Sequence, residues 1–298
     1  MPQRKTEELH ASARGLDARP VDDIAAILLA GQLDALRSVS HATTEIARGG
    51  QLMAAAARAG RQLVYAAAGS SGLMALADAC ELAGTFGLPP ERTRILMAGG
   101  IPKDAAMPGD TEDDTQEAEA AASFIGKGDA VILLSASGRT PYALTIATIA
   151  RDRGAHVIGL ANNPETPLLA LADVAICLPT PPEVISGSTR MGAGTAQKAA
   201  LNMMSTIMGV ALGHVHDGMM VNLRADNDKL RDRATRMVAD IASVPQPTAQ
   251  TALATANGRV KPAVLLAMGA PNLTLAEDLL IKADGRLRAA MAALHSHA

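Results

Sequence analysis

The chain has 298 residues, 48% of them hydrophobic, with 27 Lys and Arg against 30 Asp and Glu and a formal charge of -3. That balance gives no electrostatic reason to bind nucleic acid or an anionic membrane, and 2 Tyr, 2 Phe and no Trp leave almost no platform for stacking single-stranded bases. The two cysteines, Cys80 and Cys177, are far apart and form no C-x-x-C pair, so neither a disulfide framework nor a zinc site is expected, and each reads as an ordinary buried thiol.

Residues 1–20 form a polar lead-in without an apolar signal-peptide core, and no apolar run is long enough to span a bilayer, so a soluble, cytoplasmic protein is expected. From Val21 to about Gly60, apolar residues recur at steps of three and four and predict helix, with a break into two helices expected at Gly49 and Gly50. The period then changes. "RQLVYAAA" is a strand candidate, "SGLMALADACELAGTFG" a helix, "RTRILM" a strand and "DDTQEAEAAASFIG" a helix whose acidic start suits the helix dipole. "DAVILLS", "AHVIGLA" and "AICLP" read as further strands, separated by the helical "TPYALTIATIARDRG" and "PLLALADV". "STRMGAGTAQKAALNMMSTIMGVALG" opens as a Gly-rich loop and continues as a long helix that ends at His214 and His216, where a capping or surface role is expected. Strands alternating with helices imply an α/β fold, a parallel sheet with helices on both faces. After about Lys229 the strands vanish, and residues 230–298 read as a small helical region of short helices punctuated by Pro, Gly and Asn. The expected organisation is an N-terminal helical segment (1–50), a ligand-binding domain (51–229) and that helical region (230–298).

Three segments rich in Gly, Ser and Thr follow strands or open helices: "AAAGSSG" with Ser70 and Ser71, "SASGRTP" with Ser135, Ser137, Gly138, Arg139 and Thr140, and "SGSTRMGAGTAQK" with Ser188, Thr189 and Lys198. In an open parallel sheet, ligands bind beyond the carboxyl ends of the strands, and free N–H groups at a helix start suit a phosphate. Each loop alone reads equally well as an N-capped turn; three in one sheet favour an anion cradle, with Arg139 a candidate charged partner. Lys198 is open to two readings, beside the phosphate or on a helix surface. Neither a G-x-G-x-x-G fingerprint nor a P-loop G-K-[ST] is present, so a dinucleotide is not expected.

The chain resembles phosphosugar-isomerase-type (SIS) domains here. More narrowly, "AGSSG", "DACE", "TEDD", "SGRTPY", "EVISGSTRMGAGTAQKAALNMMST" and "NDKLRDRA" are similar to the motifs of the N-acetylmuramic acid 6-phosphate etherase family, from about Thr6 to an ending, "ADGRLRAAM", that resembles a ubiquitin-associated-like tail. The resemblance implies a flavodoxin-like three-layer sandwich and a carbon–oxygen lyase that removes D-lactate from a 6-phosphosugar in cell-wall amino-sugar catabolism. It implies no metal or organic cofactor. Glu81 and Glu112 match the positions of the family's two implicated glutamates. Read by themselves, Glu81 is a solvated helix residue and Glu112 part of an acidic helix start; which would be acid and which base stays open. Glu81 falls ten residues beyond Ser71, about 15 Å along a helix axis. A homodimer in which it serves a second chain's site is therefore expected, as the resemblance also implies. Two alternatives share the fold: an aldose–ketose phosphosugar isomerase, and a non-catalytic sugar-phosphate-sensing regulator.

Overall fold

The computed structural model describes residues 5–223, 225 and 227–296. Five strands, β1 (Leu63–Ala67), β2 (Thr93–Met97), β3 (Ala130–Ser135), β4 (His156–Ala161) and β5 (Val174–Cys177), form one parallel sheet in the order 2-1-3-4-5. Every residue of β1 and β3 is buried. A strand covered on both faces has no use for polar alternation, which explains the unbroken apolar runs that marked these segments in the sequence.

The N-terminal helices are α1 (Val21–Arg37) and α2 (Thr43–Arg58), and the strands are joined by α3 (Gly69–Phe86), α4 (Thr115–Ala121), α5 (Pro141–Asp152) and α6 (Pro167–Leu171) before α7 (Gly192–Ala211) follows β5. Val64, Ala66, Val131, Leu133 and Val157 point to one face, where Ala118 of α4, Tyr142, Ile146 and Ala150 of α5 and Leu168 of α6 cover them. The other face carries Tyr65 and Ile158 and meets α2, α3 and α7. The expected helix break at Gly49 and Gly50 does not occur. Both glycines are buried inside α2, and the break falls at a 3-10 turn over Ser38–Ala42. A Cβ on Gly49 would lie 2.6 Å from Met204 Sδ, so this glycine lets α2 approach α7 rather than ending the helix.

One polar group ties that face together. Asp78 of α3 is 3% exposed and accepts hydrogen bonds from Tyr65 Oη at 2.8 Å, Asn202 Nδ2 at 2.8 Å and Ser205 Oγ at 3.0 Å. Burial, and then the Asp78 charge, push the Tyr65 phenol well above its ordinary pKa, so it stays a neutral donor.

The chain divides into two compact units, Met1–Ala79 with Glu91–Thr206, and Cys80–Pro90 with Ile207–Ala298. The boundaries fall inside α3 and α7. The second unit holds a two-stranded antiparallel hairpin, β6 (Val215–His216) and β7 (Met219–Met220), and five helices, α8 (Asp228–Ala242), α9 (Gln246–Thr255), α10 (Val260–Ala267), α11 (Leu273–Lys282) and α12 (Leu287–His295). Its helices start where the sequence offers caps: Asn227 accepts from Leu230 N at 3.0 Å and Asn272 from Leu275 N at 2.9 Å. Val238, Ala249, Val264, Leu265 and Ala290 form its core. Lys261 is buried beside them with its ammonium on the Gly285 carbonyl at 2.9 Å, and burial lowers its pKa to about 8.

Two further expectations need correction. Cys80 is exposed rather than buried, because it lies on the opposite side of α3 from Asp78 and Leu82. His216 is not a surface or capping group: α7 stops at Ala211, and His216 lies in β6, 8% exposed, where burial lowers its pKa. Among the described residues, no helix is long and apolar enough to cross a membrane.

Asp78→Ala would strand the buried Tyr65 hydroxyl and remove an acceptor from Ser205 and the half-buried Asn202 amide. It is expected to lower the stability of the first unit by about 3 kcal/mol or more. Chemical denaturation followed by circular dichroism reads this as an earlier midpoint, and an unmoved midpoint would show that the network adds nothing.

Candidate active site

In the 2-1-3-4-5 order the chain reverses direction across the sheet between β1 and β3, and a crevice opens there at the carboxyl ends of the strands. The register places Ala67 beside Leu134, so β1 and β3 finish together and their loops leave side by side. A cleft of about 200 Å³ lies at this point.

The β1 loop contributes Ala68, Ser70 and Ser71, the last two in the first turn of α3. The β3 loop contributes Ser135, Ala136, Ser137 and Thr140, with Pro141 as the first residue of α5, where its missing N–H costs nothing. Ser135 Oγ is 2.8 Å from Thr140 Oγ1 and 3.3 Å from Ser137 Oγ, so the three hydroxyls form one cluster. Ser135 Oγ also accepts from Gly138 N at 3.0 Å. Gly138 turns the loop with φ +65, and a Cβ there would lie 2.3 Å from Thr166 Oγ1, so the turn has room only for glycine. Gly187 and Thr189, from the segment before α7, complete the hydroxyl-bearing wall.

Glu112 stands on another wall. Its backbone carbonyl accepts from Tyr142 N at 3.0 Å, which fixes the loop before α4 to the first turn of α5. Its carboxylate lies over the start of α3: Oε1 is 2.8 Å from where a Gly69 Cβ would be. The buried Tyr142 phenol is pushed up to about 12, chiefly by burial and then by the charges of Glu117 and Asp114.

The remaining sequence-selected residues are placed differently. Gly138 is buried behind the cleft wall, and Arg139 lines a shallower recess with Glu165 and Thr166. Ser188 sits in the turn before α7, its N–H on the Ile185 carbonyl at 2.9 Å, and is not among the lining residues. Lys198 is exposed on α7. Glu81 is exposed near the end of α3 and falls in the second unit.

Three residues escaped the sequence reading. Thr6 and Glu7 line the cleft although, in the chain, they lie far from each of its three loops. Glu183, 5% exposed, accepts from Gly192 N at 2.9 Å and Ala193 N at 2.8 Å, so a buried carboxylate caps the start of α7. Within the following Gly-rich motif, Thr195 Oγ1 donates to Gln32 Oε1 at 2.7 Å and Gln197 Nε2 to Asn162 Oδ1 at 2.8 Å. Much of that motif therefore anchors α7. Among the described residues, the cleft presents hydroxyls and two carboxylates but no Lys or Arg, and no group of three or more His, Cys, Asp or Glu could hold a metal ion.

Residues 111–207, which carry Glu112 and the Ser135–Thr140 hydroxyls of the cleft, match the SIS domain model, and this places the sheet and its cleft in the class of SIS domains. The fold is shared with the solved structure of the c3406 protein of E. coli CFT073, at a TM-score of 0.50 and 16% identity, covering 67% of this chain and 97% of that one. The chain is 42% identical over 265 residues to an N-acetylmuramic acid 6-phosphate etherase of Deinococcus radiodurans, covering 88% of this chain and 87% of that protein. It is 40% identical over 293 residues to one of Burkholderia lata, covering 97% and 96%. The chain belongs to the N-acetylmuramic acid 6-phosphate etherase family.

Removing hydroxyls from the cradle tests its function as an anion site. Ser137→Ala and Thr140→Val are each expected to weaken binding of inorganic phosphate and of a 6-phosphosugar about tenfold, the share of one hydrogen bond to a charged partner, with circular dichroism unchanged. Titration calorimetry showing parent affinity in both variants would take the loop out of the site.

Proposed function

We propose that this chain is a carbon–oxygen lyase that cleaves the D-lactyl ether of N-acetylmuramic acid 6-phosphate, giving N-acetylglucosamine 6-phosphate and D-lactate. The observation that carries the reading is a cleft in which a hydroxyl cluster (Ser135, Ser137, Thr140), the first turn of α3 (Ser70, Ser71) and a carboxylate (Glu112) converge at the switch point. Hydroxyls and helix-start amides suit the phosphate without a cationic side chain. A carboxylate beside them suits proton transfer on the sugar.

In the proposed reaction the opened sugar carries an aldehyde at C1, which acidifies the C2 proton. A base removes that proton, the C3–oxygen bond breaks as an acid protonates the departing lactate, and water then adds its hydroxide to C3 and its proton to C2. Two carboxylates can share these duties if their environments hold them in different protonation states. We assign them to Glu112 and Glu81. Glu81 is ten residues beyond Ser71 on α3, about 15 Å along the axis. We therefore propose a homodimer in which the Glu81 of a second copy completes the site. Helix α1 supports this with an unpartnered apolar stripe, Leu29, Leu33 and Leu36, at helical spacing and 60%, 44% and 42% exposed. The substrate's phosphate keeps it on the side of the membrane where it is phosphorylated, so we place the reaction in the cytoplasm.

Glu112→Gln and Glu81→Gln keep the side-chain shape and are expected to fold normally while each lowers D-lactate release from N-acetylmuramic acid 6-phosphate by about 10²–10⁴-fold. Exchange of the C2 proton in deuterated water should survive in the variant that lacks only the acid, which assigns the roles. Parent rates in both variants would refute the carboxylate mechanism. Assembly has its own test: mixing Glu81→Gln subunits with Glu112→Gln subunits should recover part of the lost activity through hybrid dimers, in which one site keeps both glutamates. A monomer with full activity in sedimentation would exclude the shared site.

A further inference from the structure

The cleft contains a carboxylate to which the reaction above gives no task. Glu7 is exposed in a short 3-10 turn, Lys5–Glu7, that the fold holds in place from two sides. Thr6 is 1% exposed, and its hydroxyl accepts from Asn163 Nδ2 at 3.3 Å. The same Asn163 amide donates to the Ala136 carbonyl at 2.9 Å, so one side chain joins the N-terminal turn to the β3 loop of the cradle. On the other side, Ser186 Oγ donates to the Glu7 carbonyl at 3.4 Å. The Glu7 carboxylate then stands on the Gly187 wall, with Oε2 3.6 Å from where a Gly187 Cβ would be, whereas Glu112 stands on the Gly69 wall.

We propose that Glu7 is a substrate-contacting carboxylate that selects a sugar phosphate over a bare phosphate. The inference rests on the sugar-phosphate reading of the cleft. An ionised carboxylate only accepts hydrogen bonds. A phosphate monoester dianion offers it no donor, inorganic phosphate at most a P–OH, and the negative charge of either repels it, while a sugar offers several hydroxyl donors and an amide N–H. The two ends of the ligand are thereby sorted: the phosphate to the hydroxyl cluster, the sugar body between Glu7 and Glu112. With no Lys or Arg among the described lining residues, Glu7 has no cationic partner within the cleft to occupy it.

The test is calorimetric titration of the full-length protein and its Glu7→Ala and Glu7→Gln variants with two probes, N-acetylglucosamine 6-phosphate and inorganic phosphate. Glu7→Ala is expected to weaken the sugar phosphate about tenfold, with Glu7→Gln intermediate because its amide oxygen still accepts, while inorganic phosphate binds as tightly as before or tighter. Unchanged affinity for the sugar phosphate would overturn the proposal. So would a parallel loss for both probes, which would mean that the turn merely shapes the cradle. D-lactate release by the parent enzyme is measured alongside. A parent that releases none while the two-probe contrast persists would sink the etherase reading and leave Glu7 in its proposed role.

Discussion

Everything in the cleft depends on β1 and β3 ending in register. Parallel strands deliver all their carboxyl ends to one edge of the sheet, and at the switch point neighbouring loops depart in opposite directions, leaving space between them. Because Ala67 and Leu134 are paired, the first turn of α3 and the Ser135–Thr140 loop face one another across that space. The apolar runs of the two strands thus act at a distance. Their burial fixes the register, and the register fixes how far apart the hydroxyls and helix-start amides stand. A slip of one residue would turn every side chain of a strand to the opposite face and carry its loop away from the other.

Carboxylates serve two distinct purposes here, and burial separates them. Asp78 and Glu183 lie in the interior with every bond directed at the chain's own donors, one holding α3, β1 and α7 together and the other closing the start of α7. Glu112 and Glu7 are exposed on the walls of the cleft. An interior acid without its donors would be costly, so these two have no freedom to act on a ligand. The exposed pair has that freedom.

The sheet and its loops were legible because their signals are local. Period changes, Gly/Ser turns at strand ends and caps at helix starts all act over a few residues, and they pointed to the α/β layer and the helical C-terminal region. What failed were inferences that needed a neighbour from elsewhere in the chain. Gly49 looks like a helix breaker until Met204 is known to press against it. Thr6 and Glu7 sit in an ordinary polar stretch, and only Asn163 and Ser186, remote in sequence, bring them to the cleft. Within the third loop, residue type did not separate Thr189, which lines the cleft, from Ser188 beside it, since strand and turn direction decide which hydroxyl points inward. Glu183 heads a motif that stood out in the sequence, yet its capping role was not legible there, because a carboxylate that far ahead of its helix follows no short spacing rule.

The hydrogen bond from Tyr142 N to the Glu112 carbonyl has a mechanical meaning. The first turn of α5 has few free amides, and the chain keeps this one for itself rather than offering it to a ligand. Thr140 immediately precedes that turn and belongs to the hydroxyl cluster, so α5 is a rigid link with the cradle at its tip and Glu112 attached to its flank. Thr140 and the Glu112 backbone are therefore fixed to the same turn of chain. The spacing between the hydroxyl cluster and Glu112 is thereby set by one helix start rather than by two independent loops.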